Sequence, residues 1–169
     1  MNNAKSGLET ERKFLIKLPD DLTDIQSGEM NIIQIYLKRN DPDIQRRIRK
    51  ITRGGGTEYV YTEKKKISDI TREENEFSIS SAEYETYYHE RDTSLTPVEK
   101  TRHFIDYKNQ HFELDEYPFS DKLATIELEL EDESQQIELP PFIDVIKEVT
   151  GDPRYFNAAL SAANSFPKE

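Results

Sequence analysis

The 169-residue chain contains no cysteine and no tryptophan. Without cysteine it has no disulfide, no thiolate metal site and no cysteine nucleophile. Any metal site must therefore use carboxylates or the three histidines, and oxygen-rich sites of this kind favour hard divalent cations.

Long apolar runs are also missing. Hydrophobic residues make up 34% of the chain, and no run approaches the roughly 20 residues that a membrane-spanning helix needs. Residues 1–7 contain no apolar segment of the kind found in a secretory signal. The sequence therefore predicts a soluble cytoplasmic protein that does not act at a membrane.

Positive charge is in deficit, with 23 Lys and Arg against 34 Asp and Glu and a formal net charge of −11. A chain of this sign has no overall electrostatic attraction for DNA, duplex RNA or an anionic membrane. A phosphate-rich ligand would need a local basic cluster that acts against the overall field. We therefore expect no nucleic-acid partner, and the sequence leaves a homodimer open.

The length suits one domain, 1–169, with a core over about residues 8–160 and loose tails at 1–7 and 165–169. Charged residues reach 34%, which indicates either disorder or a polar interior cavity. Eight Phe, nine Tyr and regular two-residue alternation favour the cavity.

Two-residue alternation predicts about eight strands joined by short turns, which implies antiparallel pairing. The predicted strands cover 8–17, 32–37, 44–53, 58–66, 71–79, 98–107, 112–117 and 124–131. We expect a mainly β, α+β fold, an eight-stranded antiparallel closed barrel with flanking helices, because closure removes the exposed sheet edges.

Three helices are predicted beside these strands. The capping box Ser80-Ser-Ala-Glu83 begins a helix that runs to about residue 89, and its tyrosines should pack on the sheet. The pair Pro140-Pro141 opens a second helix, which Gly151 would end as a C-cap. A third, short helix covers 153 to about 163.

The most informative segment is Glu9-x-Glu11-x-Lys13, because alternate residues of a strand share one face. The same spacing of charges recurs along the chain, in Arg47-x-Arg49, Lys64-x-Lys66, Arg72-x-Glu74-x-Glu76, Lys100-x-Arg102, Glu113-x-Asp115 and Glu127-x-Glu129-x-Glu131. If apolar residues such as Phe14, Ile48, Phe112, Leu114, Ile126 and Leu128 face outward, these charges face a lumen. The opposite assignment, an ordinary sandwich with charges outside, remains open on this pattern alone.

The opening Leu-Glu-Thr-Glu-Arg-Lys-Phe-Leu-Ile resembles the ExExK signature of the CYTH superfamily, the triphosphate tunnel metalloenzymes, and the ending resembles their bacterial inorganic triphosphatase-like branch. An ordered series of motifs carries the resemblance over about residues 8–160. These motifs are Gln34-Ile-Tyr-Leu37, Arg47-Ile-Arg49, Tyr61-Thr-Glu-Lys64, Arg72-Glu-Glu-Asn-Glu76, Lys100-Thr-Arg102, Phe112-Glu-Leu-Asp115, Ile126-Glu-Leu-Glu-Leu130 and Lys147-Glu-Val-Thr-Gly-Asp-Pro-Arg-Tyr-Phe-Asn157.

The resemblance implies a tunnel that binds a triphosphate on basic residues and one or two divalent ions, Mg²⁺ or Mn²⁺, on acidic ones. The expected phosphate-binding residues are Lys13, Arg47, Arg49, Lys64, Arg72, Lys100 and Arg102. The expected metal ligands are Glu9, Glu11, Glu127, Glu129 and Asp115. The expected catalytic groups are Lys13, Arg72, Glu74 and Glu76.

The implied activity is metal-dependent hydrolysis of a linear triphosphate, most of all inorganic tripolyphosphate, with release of orthophosphate. Three alternatives remain: an adenylyl cyclase of the superfamily, a thiamine or nucleoside triphosphatase, and a non-catalytic polyphosphate-binding module. For His89, His103 and His111 we expect surface or packing roles rather than acid–base roles.

Overall fold

The computed structural model describes residues 4–168, apart from the side chain of Lys5. Nine antiparallel strands form one sheet. They are β1 (Ala4–Lys17), β2 (Gly28–Tyr36), β3 (Ile44–Arg53), β4 (Gly56–Lys66), β5 (Thr71–Ile79), β6 (Val98–Tyr107), β7 (Gln110–Glu116), β8 (Leu123–Leu130) and β9 (Val145–Glu148). The eight predicted strands are confirmed, with ends that differ by up to four residues.

Strand β1 closes the barrel. The order β5-β4-β3-β2-β6-β7-β8-β1 returns to its start because residues 4–10 of β1 pair with β5, while residues 10–17 pair with β8. The predicted closed eight-stranded antiparallel barrel is confirmed, and β9 is an extra strand on its outside edge.

The apolar core lies outside the barrel wall. Phe14 of β1 pairs with Ile126 of β8, and both are buried against partly buried residues such as Leu22 and Ile25 from the connection after β1. A second cluster joins Leu15, which lies on the same strand face as Lys13, to the C-terminal segment, and a third, outer cluster joins Ile48 to the first helix. Because the apolar faces of Phe14 and Ile48 point outward, the alternate residues of the same strands face the lumen.

Helix α1 (Ser81–Tyr88) begins as predicted, since the Ser80 hydroxyl accepts a hydrogen bond from the Glu83 amide at 3.0 Å. Its tyrosines pack on the sheet: Tyr84 lies 4.8 Å from Tyr59 and Tyr87 lies 4.8 Å from Tyr61, ring centre to ring centre. Tyr88, by contrast, is exposed.

The helix predicted between Pro140 and Gly151 is wrong. Strand β9 forms there instead, and it pairs with Phe14–Ile16 of β1. The pairing of β1 with β5 ends at Thr10, so the same edge of β1 would otherwise leave its later backbone groups unpaired. Strand β9 pairs with the backbone groups of that edge. Of the apolar residues whose spacing predicted a helix, Phe142 and Ile146 are exposed.

The C-terminal helix is shorter than predicted. A single 3₁₀ turn (Pro153–Tyr155) is followed by helix α2 (Asn157–Ala163), with extended backbone at Phe156 between them. At the two ends of the described residues, 4–7 belong to β1, and Phe166 is buried against Tyr117 and Phe119. Residues 1–3 and 169 lie outside the described residues. No helix within residues 4–168 is long and apolar enough to cross a membrane.

A core position on the outer face tests this arrangement. Ile126 is fully buried, so Ile126→Ala should lower the free energy of unfolding by about 2–5 kcal/mol through lost burial and the cavity it leaves. Ile67, which is 55% exposed, is the control, and Ile67→Ala should change that free energy by less than about 0.5 kcal/mol. Urea denaturation followed by circular dichroism measures both, and equal losses would contradict an outer core.

Candidate active site

The barrel encloses a cavity of about 570 Å³. Every predicted site residue except Asp115 lines it. These residues are Glu9, Glu11, Lys13, Arg47, Arg49, Lys64, Arg72, Glu74, Glu76, Lys100, Arg102, Glu127 and Glu129. The alternation of charges therefore follows the lumen face, and the sandwich alternative does not hold.

Strand register brings carboxylates together on one wall. Glu11 of β1 lies directly opposite Glu129 of β8, and Lys13 lies opposite Glu127. Like charges directly opposite each other destabilise an antiparallel pair unless a cation lies between them. Lys13 supplies one cation, with its ammonium 3.4 Å from Glu127 Oε1.

The pKa of Glu11 reflects this crowding. The negative charge of Glu127 and burial raise the pKa of Glu11 to about 8. Burial also acts on Glu127, but Lys13, Arg102 and Lys100 outweigh it and hold the pKa of Glu127 below its usual value. In the metal-free protein at neutral pH, Glu11 is therefore largely protonated and Glu127 is ionised.

A second acidic pair lies where β1 meets β5. Burial and a hydrogen bond with Glu9 raise the pKa of Glu74 to about 7. Burial alone would raise the pKa of Glu9 too, but the bond with Glu74 and the ammonium of Lys64 hold it well below the usual range. Lys64 Nζ lies 3.1 Å from Glu9 Oε2 and 3.3 Å from Glu74 Oε2.

These acids fit a hard cation on two observations. Glu9 Oε2 is buried and accepts no hydrogen bond, with the Lys64 ammonium beside it, and Glu11 faces two other carboxylates. Within residues 4–168, however, no three acidic or histidine side chains converge closely enough to hold a metal alone. This suits Mg²⁺ or Mn²⁺, because Mg²⁺ binds through one or two carboxylates and completes its shell with water and substrate phosphates.

The opposite wall is cationic. The Nε groups of Arg47 and Arg49 are buried and have no hydrogen-bond partner, an expensive state that an anionic ligand would relieve. Burial and the neighbouring Arg47 lower the pKa of Arg49 to about 10, which is still fully protonated at neutral pH. Arg72 lines the cavity from the other side, where it lies directly opposite Glu9 in the register of β1 and β5, and its Nη1 donates to the Ser68 carbonyl at 2.8 Å.

Asp115 does not join the predicted metal ligands. It is fully buried on the lumen face of β7, beneath Lys100 and Arg102, which donate to both of its oxygens. Glu76 does line the cavity, but its Oε2 accepts hydrogen bonds from Arg49 at 2.8 Å and Thr62 at 2.9 Å. The Asp115 site is therefore an ion-pair network, and its geometry does not favour a metal.

Several cavity residues escaped the sequence reasoning. Gln34 and Tyr36 lie opposite Arg49 and Arg47 in the register of β2 and β3, and that pairing is the signal that could have placed them. Glu113 also lines the cavity and belongs to a charge pair that the sequence displays.

Residues 149–159 close part of the cavity and include Thr150, Phe156 and Asn157. Lys13 Nζ donates to the Tyr155 carbonyl at 2.8 Å, and Tyr117 donates to Asn157 Oδ1 at 2.6 Å. This segment has no alternation of like charges, and the sequence predicted a helix up to Gly151. Its place in the cavity lining was therefore not predicted.

The three histidines are absent from the part of the cavity lining that the structure describes. His103 is buried on the outside of the wall, where Nδ1 lies 2.6 Å from Gln26 Oε1 and Nε2 lies 3.0 Å from Glu116 Oε2. His89 and His111 are exposed. These positions agree with packing and surface roles.

Comparison with known proteins adds to this geometry. Two solved structures of NE1496, one described as a hypothetical protein and one as an inorganic triphosphatase, are 32% and 31% identical to this chain. They cover 94% and 95% of it, and 99% and 97% of their own length, with TM-scores of 0.55 and 0.56. PH1819 from Pyrococcus horikoshii OT3 shares the fold at 22% identity and a TM-score of 0.57, over 73% of this chain and 80% of its own.

No protein with a curated description matches the chain in sequence. The model of the CYTH domain matches residues 7–156, nearly the whole barrel and the turn that follows it. The motifs, the closed barrel with a charged lumen, and this match agree: the chain belongs to the CYTH domain family.

Proposed function

We propose that the protein is a divalent-metal-dependent phosphohydrolase that cleaves a linear triphosphate, with inorganic tripolyphosphate as the preferred substrate. One observation carries the proposal: a cavity of about 570 Å³ inside the barrel places arginine Nε groups without hydrogen-bond partners opposite mutually repelling carboxylates. A polyanion together with a cation neutralises both walls at once, whereas either ligand alone leaves one wall uncompensated.

The cationic wall binds and orients the phosphate chain. Arginine presents a planar fork that suits two phosphate oxygens, and lysine presents a compact charge. Arg47, Arg49 and Arg72 supply the forks, and Lys64 supplies a charge between the walls. Lys13 already bonds to Glu127 and to the Tyr155 carbonyl, so we assign it to the edge of the cavity under residues 153–159.

The acidic wall is the metal site. Glu9, Glu11, Glu127 and Glu129 are the candidate ligands, one or two of which would hold an ion together with water and substrate phosphates, and such an ion would supply positive charge to the scissile phosphoryl group and lower the pKa of water. Glu74 is hydrogen-bonded to Glu9 and has a pKa of about 7, so near neutral pH a large share of it is ionised and suited to accept a proton from the attacking water. Water oxygen bonds to the terminal phosphorus, the bridging P–O bond breaks, and orthophosphate and pyrophosphate leave.

The similarity to NE1496, described as an inorganic triphosphatase, supports hydrolysis of a triphosphate without an organic group. The charges in the lumen also point to the phosphates rather than to a base. Hydrolysis of other triphosphates and the cyclase reaction are the alternatives that an experiment must distinguish from hydrolysis of tripolyphosphate.

A substrate screen is the primary test. Purified protein with Mg²⁺ or Mn²⁺ should release orthophosphate fastest from tripolyphosphate, and more slowly from ATP, GTP and thiamine triphosphate. EDTA should abolish release, because the carboxylates then lack the ion that joins them to the phosphates. Cyclic AMP and pyrophosphate from ATP would indicate a cyclase, and absence of turnover with every metal would overturn the hydrolase proposal.

Two substitutions separate the two walls. Glu129→Gln should raise the Mn²⁺ concentration needed for half-maximal rate and lower kcat, while Arg49→Ala should raise KM by roughly 10–100-fold through lost charge-assisted hydrogen bonds. Glu99 and Lys50 are the matched controls, because they lie on β6 and β3 with side chains directed away from the lumen. Glu99→Gln and Lys50→Ala should keep wild-type kinetics, and wild-type kinetics in all four variants would remove the lumen assignment.

The acidic wall also predicts how stability depends on pH. Glu11 and Glu74 have folded-state pKa values of about 8 and about 7, above the ordinary 4.5, so the folded protein keeps protons that the unfolded chain releases. The free energy of unfolding in EDTA should therefore fall as the pH rises from 6 to 8. Thermal denaturation at each pH measures this change. Added Mg²⁺, or the substitution Glu11→Gln, should make the fall in stability smaller. A free energy of unfolding that rises with pH would contradict the raised pKa values.

A further inference from the structure

We propose that Asp115 is a positioning residue for the cations of the substrate site, holding Lys100 and Arg102 in place, and that it is not a metal ligand. The inference rests on the proposed function and sharpens it, because it assigns Asp115 to the binding of phosphate rather than to the binding of metal. It starts from the contacts of Asp115.

Asp115 and Arg102 lie directly opposite each other on β7 and β6. Arg102 Nε donates to Asp115 Oδ1 at 2.8 Å, and Arg102 Nη2 donates to Oδ2 at 2.9 Å, which is a two-bond fork. Lys100 Nζ donates to Oδ2 at 2.8 Å. Three charged donors therefore occupy one carboxylate that is fully buried, and no oxygen of it reaches the cavity.

The fork fixes the plane of the Arg102 guanidinium. Its Nε and Nη2 edge is held by Asp115, so Nη1 is directed to the cavity, where it lies 2.5 Å from Glu113 Oε2. A guanidinium held on one edge keeps the other edge oriented for a phosphate, with little rotational freedom left to lose on binding.

Asp115 also offsets repulsion between the two cations. Lys100 and Arg102 are two residues apart on one strand, both point inward, and both are shielded from water. Without a buried anion between them, the pair would repel each other and shift or lose charge. Glu11 of the acidic wall differs, because it lies directly opposite another carboxylate, Glu129, whereas Glu127 already has the Lys13 ammonium 3.4 Å away.

The electrostatics agree with this contrast. Burial would raise the pKa of Asp115, but Arg102 and Lys100 outweigh burial and hold it well below the usual range. A carboxylate that is already neutralised by two cations has little to gain from a third.

The test compares Asp115→Asn with Glu129→Gln in the complete chain. The positioning role predicts that Asp115→Asn raises the KM for tripolyphosphate at least tenfold, while the Mn²⁺ concentration for half-maximal rate stays within twofold of wild type. A metal ligand would behave in the opposite way, as we expect for Glu129→Gln. An increase in the required Mn²⁺ with unchanged KM overturns the inference.

A double-mutant cycle shows whether Asp115 acts through Arg102. If it does, adding Asp115→Asn to Arg102→Ala should raise KM by less than threefold beyond Arg102→Ala alone. Full multiplication of the two separate effects would contradict positioning of Arg102 by Asp115. Arg102→Lys serves if Asp115→Asn fails to fold: it keeps the charge, removes the fork, and should also raise KM without changing the metal requirement, whereas a wild-type KM overturns the inference.

Calorimetry separates this inference from the proposed hydrolase function. Tripolyphosphate titrated into metal-free protein in EDTA should bind the wild type at least tenfold more tightly than Asp115→Asn, whether or not the protein turns the substrate over. Electron paramagnetic resonance of Mn²⁺ should show equal metal binding in the two proteins. Equal tripolyphosphate affinity, or weaker Mn²⁺ binding in the variant, refutes the positioning role.

Discussion

The structure depends on one constraint: the barrel turns its charged residues inward, where each charge needs a partner close by. Glu11 faces Glu129 across β1 and β8, and Glu9 shares a proton with Glu74. These contacts cost stability in the metal-free protein, and closure of the sheet by β1 holds them together nonetheless. A site that remains strained until a cation and an anion enter is prepared for both.

That cost is offset on the other side of the same strands. Because successive side chains alternate, the strand that presents Glu127 inward presents Ile126 and Leu128 outward, where both are buried in an apolar cluster. Residues from the connection after β1 and from the segment that leads into β9 cover this cluster, so the segments outside the barrel wall complete its core. The lumen can then be polar without leaving the protein short of buried apolar surface.

The sequence predicts the barrel well and its surroundings less well, for a physical reason. Strands such as Ile44–Arg53 and Thr71–Ile79 show local alternation that needs no partner to be visible, and they were predicted to the residue. Strand β9 forms because β5 leaves one edge of β1 unpaired beyond Thr10, and that edge exists only in the tertiary structure. Its residues carry apolar spacing that also suits a helix, and nothing local distinguishes the two.

The same distinction applies within the site. Spacing places a carboxylate on the lumen face, but it does not say what that carboxylate meets across the sheet. Asp115 and Glu129 both alternate correctly, yet Asp115 meets Arg102 in the neighbouring strand and Glu129 meets Glu11. Asp115 is neutralised by cations of the neighbouring strand, whereas Glu129 faces a second carboxylate, so strand register, rather than residue type, decides what each lumen acid meets across the sheet.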